Sequence, residues 1–205
     1  MILLVDNYDS FTYNLYHMVA SCDLKVEVVR NDCFDVSEIV GGSWSGIIFS
    51  PGPGRPSDAG LSLELLSQLQ SNMPVLGVCL GHQLIAEASG ATLFVDDAPM
   101  HGKSSLIEFH KGSQIFAGIK SPFAVGRYHS LCVSRKNLPN DLKITAELTD
   151  GKIMAIEHQS KPWYGVQFHP ESLLCPQGGR LIENFIAITK GIKKNARTTL
   201  SRQKA

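Results

Sequence analysis

Short apolar runs alternate with amphipathic stretches through the first half of the chain. Residues 2–5 (Ile-Leu-Leu-Val) form a run of strand length with no polar interruption, and they predict a buried strand. Asp9 and Ser10 stand where a helix can be capped, and Phe11, Leu15, Met18 and Val19 then follow the 3.6-residue period. Residues 26–29 and 47–49 predict two more strands. Residues 61–69 predict a helix with Leu61, Leu65, Leu66 and Leu69 on one face. Residues 75–78 predict another buried strand, and 84–88 lie in the helical pattern after it. Strands apolar on both faces, separated by helices, predict a mostly parallel sheet covered by helices on both sides.

The second half has another texture. Residues 106–109, 123–125, 131–133, 144–148, 153–156 and 164–168 predict strands joined by short turns such as Asp150-Gly151. They imply an additional, smaller antiparallel sheet or an antiparallel extension of the first. A helix over 180–189 closes the pattern, burying Leu181, Ile182, Phe185 and Ile186. With no internal repeat or linker, the expected organisation is one α/β domain over 1–189 and a basic, disordered tail over 190–205.

Charge supports that division. The chain has 19 basic and 19 acidic residues among 205, yet Lys190, Lys193, Lys194, Arg197, Arg202 and Lys204 crowd its end with no acid between them. The preceding body is net acidic, which speaks against a nucleic-acid surface. Five cysteines, Cys22, Cys33, Cys79, Cys132 and Cys175, are scattered without a C-x-x-C pair, so neither a zinc ribbon nor a disulfide framework is expected. A reducing, cytoplasmic setting fits that usage. Asp6 cuts the opening apolar run too short for a signal-peptide core, and no run reaches the roughly 20 apolar residues of a membrane span.

Three segments carry candidate chemistry. Gly77-Val78-Cys79-Leu80-Gly81 follows a strand and opens a helix, the context of a nucleophile elbow. Its glycines permit the sharp turn, the helix N-terminus favours a thiolate on Cys79, and the Leu80 N–H is available to an oxyanion. Alone, the pentapeptide also fits a buried structural cysteine between packing glycines. His169-Pro170-Glu171 follows a strand, and Pro170 holds His169 extended, so Glu171 lies on the same side and can support the imidazole. A surface His-Glu pair fits equally well. H-x-E also opens the zinc deaminase signature, but the required P-C-x-x-C is missing, since Cys175-Pro176 is reversed and has no second cysteine. Ser50-Pro51-Gly52-Pro53-Gly54 reads as an ordinary turn or as a rigid loop offering N–H groups to a substrate; it lacks the Gly-Lys-Ser/Thr of a phosphate-binding loop. In a parallel sheet the elbow and this loop share the carboxyl edge, and a nucleophile, a supported base and an amide-rich loop together suit acyl transfer through a thioester.

With those residues in view, the chain resembles the triad-type glutamine amidotransferases, above all the glutaminase subunits of anthranilate synthase and 4-amino-4-deoxychorismate synthase. The matching stretches are residues 1–15, 50–60, 77–83 (GVCLGHQ), 100–105 (MHGKSS), 127–131 (RYHSL) and 165–172 (GVQFHPES). The resemblance implies the class I glutamine amidotransferase fold, with Cys79 as nucleophile, His169 as acid and base, and Glu171 as its partner. It implies that Gly52 and Leu80 supply oxyanion amides. L-Glutamine would be held by Gln83, the backbone of Ser130 and Leu131, and the Gly52, Pro53 and Gly54 loop. No metal or cofactor is implied in this chain. Ammonia would pass to a separate chorismate-using synthase subunit. Anthranilate synthase is favoured, with the folate-pathway synthase or service to both as alternatives. A stand-alone cysteine hydrolase would leave Gln83, RYHSL and MHGKSS without purpose, and a silent regulatory module would not need all three triad residues.

Overall fold

Ile2 and Leu4 point to one side of the first strand and Leu3 and Val5 to the other, and all four are buried. A strand buried on both faces needs a layer on each side of its sheet. The computed structural model describes residues 1–97, 100–110 and 112–202, with 193–202 by backbone alone. In chain order the elements are β1 (Ile2–Asp6), α1 (Thr12–Ala20), β2 (Val26–Arg30), α2 (Val36–Gly41), β3 (Gly46–Phe49), α3 (Ser62–Gln68), β4 (Val75–Val78) and α4 (Leu80–Ala88). There follow β5 (Leu93–Val95), β6 (Lys103–Phe109), β7 (Phe123–Arg127), β8 (Leu131–Val133), β9 (Leu142–Glu147), β10 (Ile153–His158), β11 (Trp163–Val166) and α5 (Gly178–Arg202).

Nine strands form the main sheet in the order β2-β1-β3-β4-β11-β10-β9-β6-β7, and β5 pairs with β8 in a small second sheet. The half from β2 to β11 is parallel, and the half from β11 to β7 is antiparallel. Ile2, Leu4, Ile48, Leu76 and Val78 pack with Leu15 and Val19 of α1 and Leu181, Ile182, Phe185 and Ile186 of α5. Leu3, Val5, Ile47, Phe49 and Val75 pack with α2, α3 and α4 on the opposite face. Two-residue alternation along the strands thus divides the core into two layers.

The expected parallel sheet with helices on both faces and a small antiparallel sheet is present, and five second-half strands join the main sheet itself, β11 in parallel and β10, β9, β6 and β7 as an antiparallel extension. Boundaries move with pairing. β11 ends at Val166 rather than at 168, while the Gln167 N–H still reaches Met154 O at 2.9 Å. Two elements go beyond the expectation. α2 is short and apolar mainly at Val36 and Ile39, and its start is fixed by the Asp35 carboxylate, which accepts from Ser37 N at 2.7 Å and Glu38 N at 3.3 Å. β5 has three residues, too few for periodicity to register.

Asp9 and Ser10 do not cap α1; Phe11 is the N-cap and makes no side-chain bond there. Asp9 Oδ1 instead accepts from Phe11 N at 2.8 Å, and Asp6 Oδ1 gathers Tyr8 N at 2.9 Å and the Thr12 hydroxyl at 2.7 Å, building the turn before the helix. The closing helix, expected over 180–189, runs Gly178–Arg202. Helical backbone therefore takes in most of the stretch expected as a disordered tail, because its Ala, Leu, Lys and Arg residues are good helix formers. The end of that tail, 203–205, lies outside the described residues.

Candidate active site

β1, β3, β4 and β11 are parallel, so their carboxyl ends open on one edge, and the candidate chemistry gathers there. Cys79 joins β4 to α4 with φ 53° and ψ −99°, a left-handed backbone that a non-glycine residue rarely adopts. Packing compels it. A Cβ on Gly77 would overlap the Gly81 carbonyl, and one on Gly81 would overlap the Phe49 carbonyl of β3. The strand, the turn and the helix therefore touch backbone to backbone, and the Cys79 N–H is tied to Val166 O at 2.8 Å. Leu80 opens α4, so its N–H belongs to the first turn, whose amides have no intrahelical acceptor.

His169 arrives from beyond β11. Its N–H donates to Gly126 O at 3.0 Å, bridging to β7. The imidazole is buried, with Tyr128 at 4.7 Å and Phe11 at 5.8 Å between ring centroids. Nδ1 donates to Glu171 Oε1 at 2.6 Å, which leaves Nε2 for the sulfur side. Nε2 makes no well-aligned hydrogen bond among the described residues. Burial opposes the imidazolium, but the neighbouring Cys79 sulfur and the hydrogen-bonded Glu171 carboxylate outweigh it, and the His169 pKa is pushed up to about 10.

The other four cysteines differ. Burial pushes the Cys132 thiol up to about 11 and the Cys175 thiol up to about 12. Cys22 is raised by burial, and Cys33 by its hydrogen bond to the Asp32 carboxylate. None of them is placed to act as a thiolate.

A cavity of about 180 Å³ opens in front of Cys79, lined by Gly52, Pro53, Gly54, Gln83, Ser130 and Leu131, with Tyr128 and His129 completing its wall. Every residue expected to hold substrate lies on it except Leu80, whose side chain packs behind Gly52. A larger cavity of about 570 Å³ lies beside Pro162 and Tyr164, toward the opposite end of β11, and holds no nucleophile. Chemistry, not volume, selects the smaller one.

The 50–54 loop is held from a distance. Asn7, just past β1, donates its backbone N–H to Ser50 Oγ at 2.8 Å and its side-chain Nδ2 to Ser50 O at 2.8 Å. Asn31 Nδ2 and Ser62 Oγ donate to Asn7 Oδ1 at 3.0 and 3.3 Å. Gly54 has φ 77°, whereas Gly52 is required by space: its Cβ would lie 2.6 Å from Asn7 O and 2.8 Å from Leu80 Cδ2.

The third wall, 129–131, rests on buried charge. Arg127 Nε donates to His129 Nε2 at 3.1 Å, and His129 Nδ1 donates to Leu131 O at 3.0 Å. Asp96 Oδ2 faces Arg127 Nη2 at 3.9 Å and Lys152 Nζ at 3.1 Å. Burial, helped by the Arg127 charge, lowers the His129 pKa to about 4, so the ring is neutral and accepts from arginine. The resemblance implies roles for Ser130 and Leu131 in the matching stretch 127–131 but none for Arg127 and His129, and Asp96 lies outside it; only the tertiary fold creates their grouping. Sequence reasoning passed over Asn7 as a brace and Gln167 as a neighbour of Cys79; a glutamine inside the apolar run 166–168 was the available signal. His82, on the buried side of α4, is fully enclosed and its pKa falls to about 3 through burial, a core histidine rather than a base. His101 stacks edgewise on Tyr128 at 5.8 Å. Among the described residues no group of three or more His, Cys, Asp or Glu side chains is arranged to hold a metal ion, and no helix is long and apolar enough to cross a membrane.

The family model for glutamine amidotransferase class-I matches residues 3–188. The chain belongs to the class-I glutamine amidotransferase family. Within this family it is 46% identical over 187 residues to anthranilate synthase component 2 of Cyanophora paradoxa, covering 91% of this chain and 98% of that one. It is 45% identical over 186 residues to the aminodeoxychorismate/anthranilate synthase component 2 of Bacillus subtilis, covering 91% and 95%. It is also 44% identical over 189 residues to the bifunctional protein TrpGD of Thermotoga maritima, covering 91% of this chain and 32% of that longer protein. Among solved structures, a GMP synthase subunit from Thermoplasma acidophilum superposes with a TM-score of 0.86 at 26% identity, covering 96% of each chain. That likeness supports the α/β fold derived above.

Proposed function

We propose that this chain hydrolyses L-glutamine at Cys79 and passes the ammonia to a separate chorismate-using synthase subunit. The observation that carries the reading is His169, bonded to Glu171 Oε1 at 2.6 Å and neighbouring Cys79, a cysteine held in strained backbone on the wall of the pocket. The Cys79 thiolate, beside the His169 imidazolium, attacks the side-chain carboxamide carbon of glutamine. The carbonyl electron pair moves onto oxygen, which the Leu80 and Gly52 N–H groups receive. His169 protonates the nitrogen, the C–N bond breaks, and ammonia leaves a γ-glutamyl thioester. Neutral His169 then takes a proton from water as its oxygen attacks the thioester, and the sulfur departs as thiolate with release of glutamate. Glu171 holds the ring with Nε2 toward the reaction and balances its charge. Gln83, the Ser130 and Leu131 backbone and the loop of Gly52, Pro53 and Gly54 hold the substrate.

Tyr8, Tyr13 and Leu173 are exposed apolar side chains on or beside this edge, with Leu173 only two residues past Glu171. They suit a face that a synthase covers, guiding ammonia away from water. The anthranilate reading is favoured; service to the folate synthase as well has specific support from the Bacillus subtilis relative, which carries both names at 45% identity. Free cysteines throughout agree with a reducing, cytoplasmic setting. The test is ammonia release from glutamine by the purified chain, alone and with its synthase plus chorismate. Weak hydrolysis that rises on adding both is expected. No glutamine hydrolysis under either condition overturns the proposal.

A further inference from the structure

Gln167 is fully buried one residue past β11, and its side chain bridges two parts of the site that would otherwise be separate. Its Nε2 lies 3.6 Å from Cys79 Sγ, a normal reach for an N–H donor to sulfur, and its Oε1 lies 3.1 Å from Gln83 Nε2. The direction of these bonds follows from connectivity. Gln83 Nε2 also donates to Leu131 O at 3.2 Å, and a carbonyl can only accept. The nitrogen end of Gln83 is therefore fixed by Leu131, so the atom of Gln167 that meets it is an acceptor, and the remaining end turned toward Cys79 carries the N–H groups. Both Gln83 donors are thereby engaged.

We propose that Gln167 is a further catalytic residue, whose side-chain N–H holds the Cys79 thiolate and, through Gln83, ties the nucleophile to the glutamine pocket. The inference rests on the glutaminase reading. His169 provides the opposing charge on the sulfur, and Gln167 provides a neutral donor. Among the described residues, the titratable groups around Cys79 are His169, backed by Glu171, and Tyr128 and His129 on the pocket wall; His82 lies buried on the nucleophile's own helix. None of these is removed by a change at Gln167, so a shift in thiol ionisation would belong to the lost N–H. A hydrogen bond to a charged acceptor is stronger than one to a neutral acceptor, so the bond favours thiolate over thiol. It weakens as sulfur becomes a thioester and returns as the thioester opens, which makes the sulfur a better leaving group in the hydrolytic half.

The test is the pH profile of Cys79 alkylation by iodoacetamide in the full chain, for wild type, Gln167→Met and Gln167→Asn. Met keeps the volume without the donor, and Asn keeps the amide but draws it back from sulfur, so a folding failure in one leaves the other to decide. The midpoint of the alkylation profile should rise by about one pKa unit in either variant. A midpoint unchanged in a folded variant, even with glutamine hydrolysis reduced, overturns the proposal by confining Gln167 to space filling or to support of Gln83. Failure of the underlying reading looks different: wild-type chain alkylated at Cys79 would still hydrolyse glutamine.

Discussion

The elbow at 77–81 and the loop at 52–54 face each other across one pocket but are held in different ways. The elbow is fixed by backbone against backbone: Gly77 on the Gly81 carbonyl, Gly81 on the Phe49 carbonyl, and Cys79 strained between them. The loop is fixed by side chains from elsewhere, chiefly Asn7 with Asn31 and Ser62 behind it. Backbone overlap leaves no freedom to give way, whereas a hydrogen-bonded brace can shift by tenths of an ångström. The elbow is the rigid member that presents Cys79, and the loop is the adjustable one. In the proposed reaction, a loop amide withdrawn from the oxyanion would cost roughly 10²–10³ in rate.

The largest effect separates the two walls directly. Gly81→Ala places a Cβ in the Phe49 carbonyl, so denaturant unfolding should report a loss of about 3 kcal/mol or more, with hydrolysis abolished. Gly52→Ala meets the Asn7 backbone carbonyl and Cβ at 2.6 Å and Leu80 Cδ2 at 2.8 Å; the leucine tip can turn aside, but relief from the Asn7 carbonyl requires the loop itself to shift, as a loop outside any strand or helix can. It should cost about 1 kcal/mol of stability while lowering hydrolysis far more than folding. Equal stability losses would erase the distinction between a rigid and an adjustable wall.

This difference also explains what was legible in the sequence. Gly77, Cys79 and Gly81 are neighbours, and their strand-to-helix context is written in the local pattern, so the elbow shows in the order of residues alone. His169 and Glu171 were legible as a pair for the same reason. The parallel core followed from unbroken apolar runs such as 2–5 and 75–78. Asn7 and Ser50 stand 43 residues apart, and the Arg127, His129 and Asp96 cluster joins two segments of chain. Local periodicity says nothing of such meetings; only the resemblance to known amidotransferases reached them, and it supplied Ser130 and Leu131 without their supports. α2 and β5 escaped because they are too short for a period to be counted.

A smaller effect concerns acid. His82 lies on the elbow's own helix and His129 on the neighbouring wall, with pKa values lowered by burial to about 3 and about 4. Unfolded, both titrate near about 6.5, so below that pH the unfolded chain binds the extra protons. Their contribution to stability is whole above about pH 6.5 and is lost as pH falls toward 4 and then 3. The thermal midpoint should decline over that window, and His82→Leu should flatten the slope. An unchanged slope would mean that His82 is not held neutral in the fold.

The central claim, that Cys79 is the nucleophile of a glutaminase, is tested most directly by Cys79→Ser assayed in complex with the synthase. Glutamine hydrolysis and ammonium-driven synthesis are measured on one preparation. The predicted result is a loss of at least about 10³-fold in hydrolysis, since a serine alkoxide is far harder to form than a thiolate, with ammonium-driven synthesis retained. Near-native glutamine hydrolysis by Cys79→Ser would contradict the account.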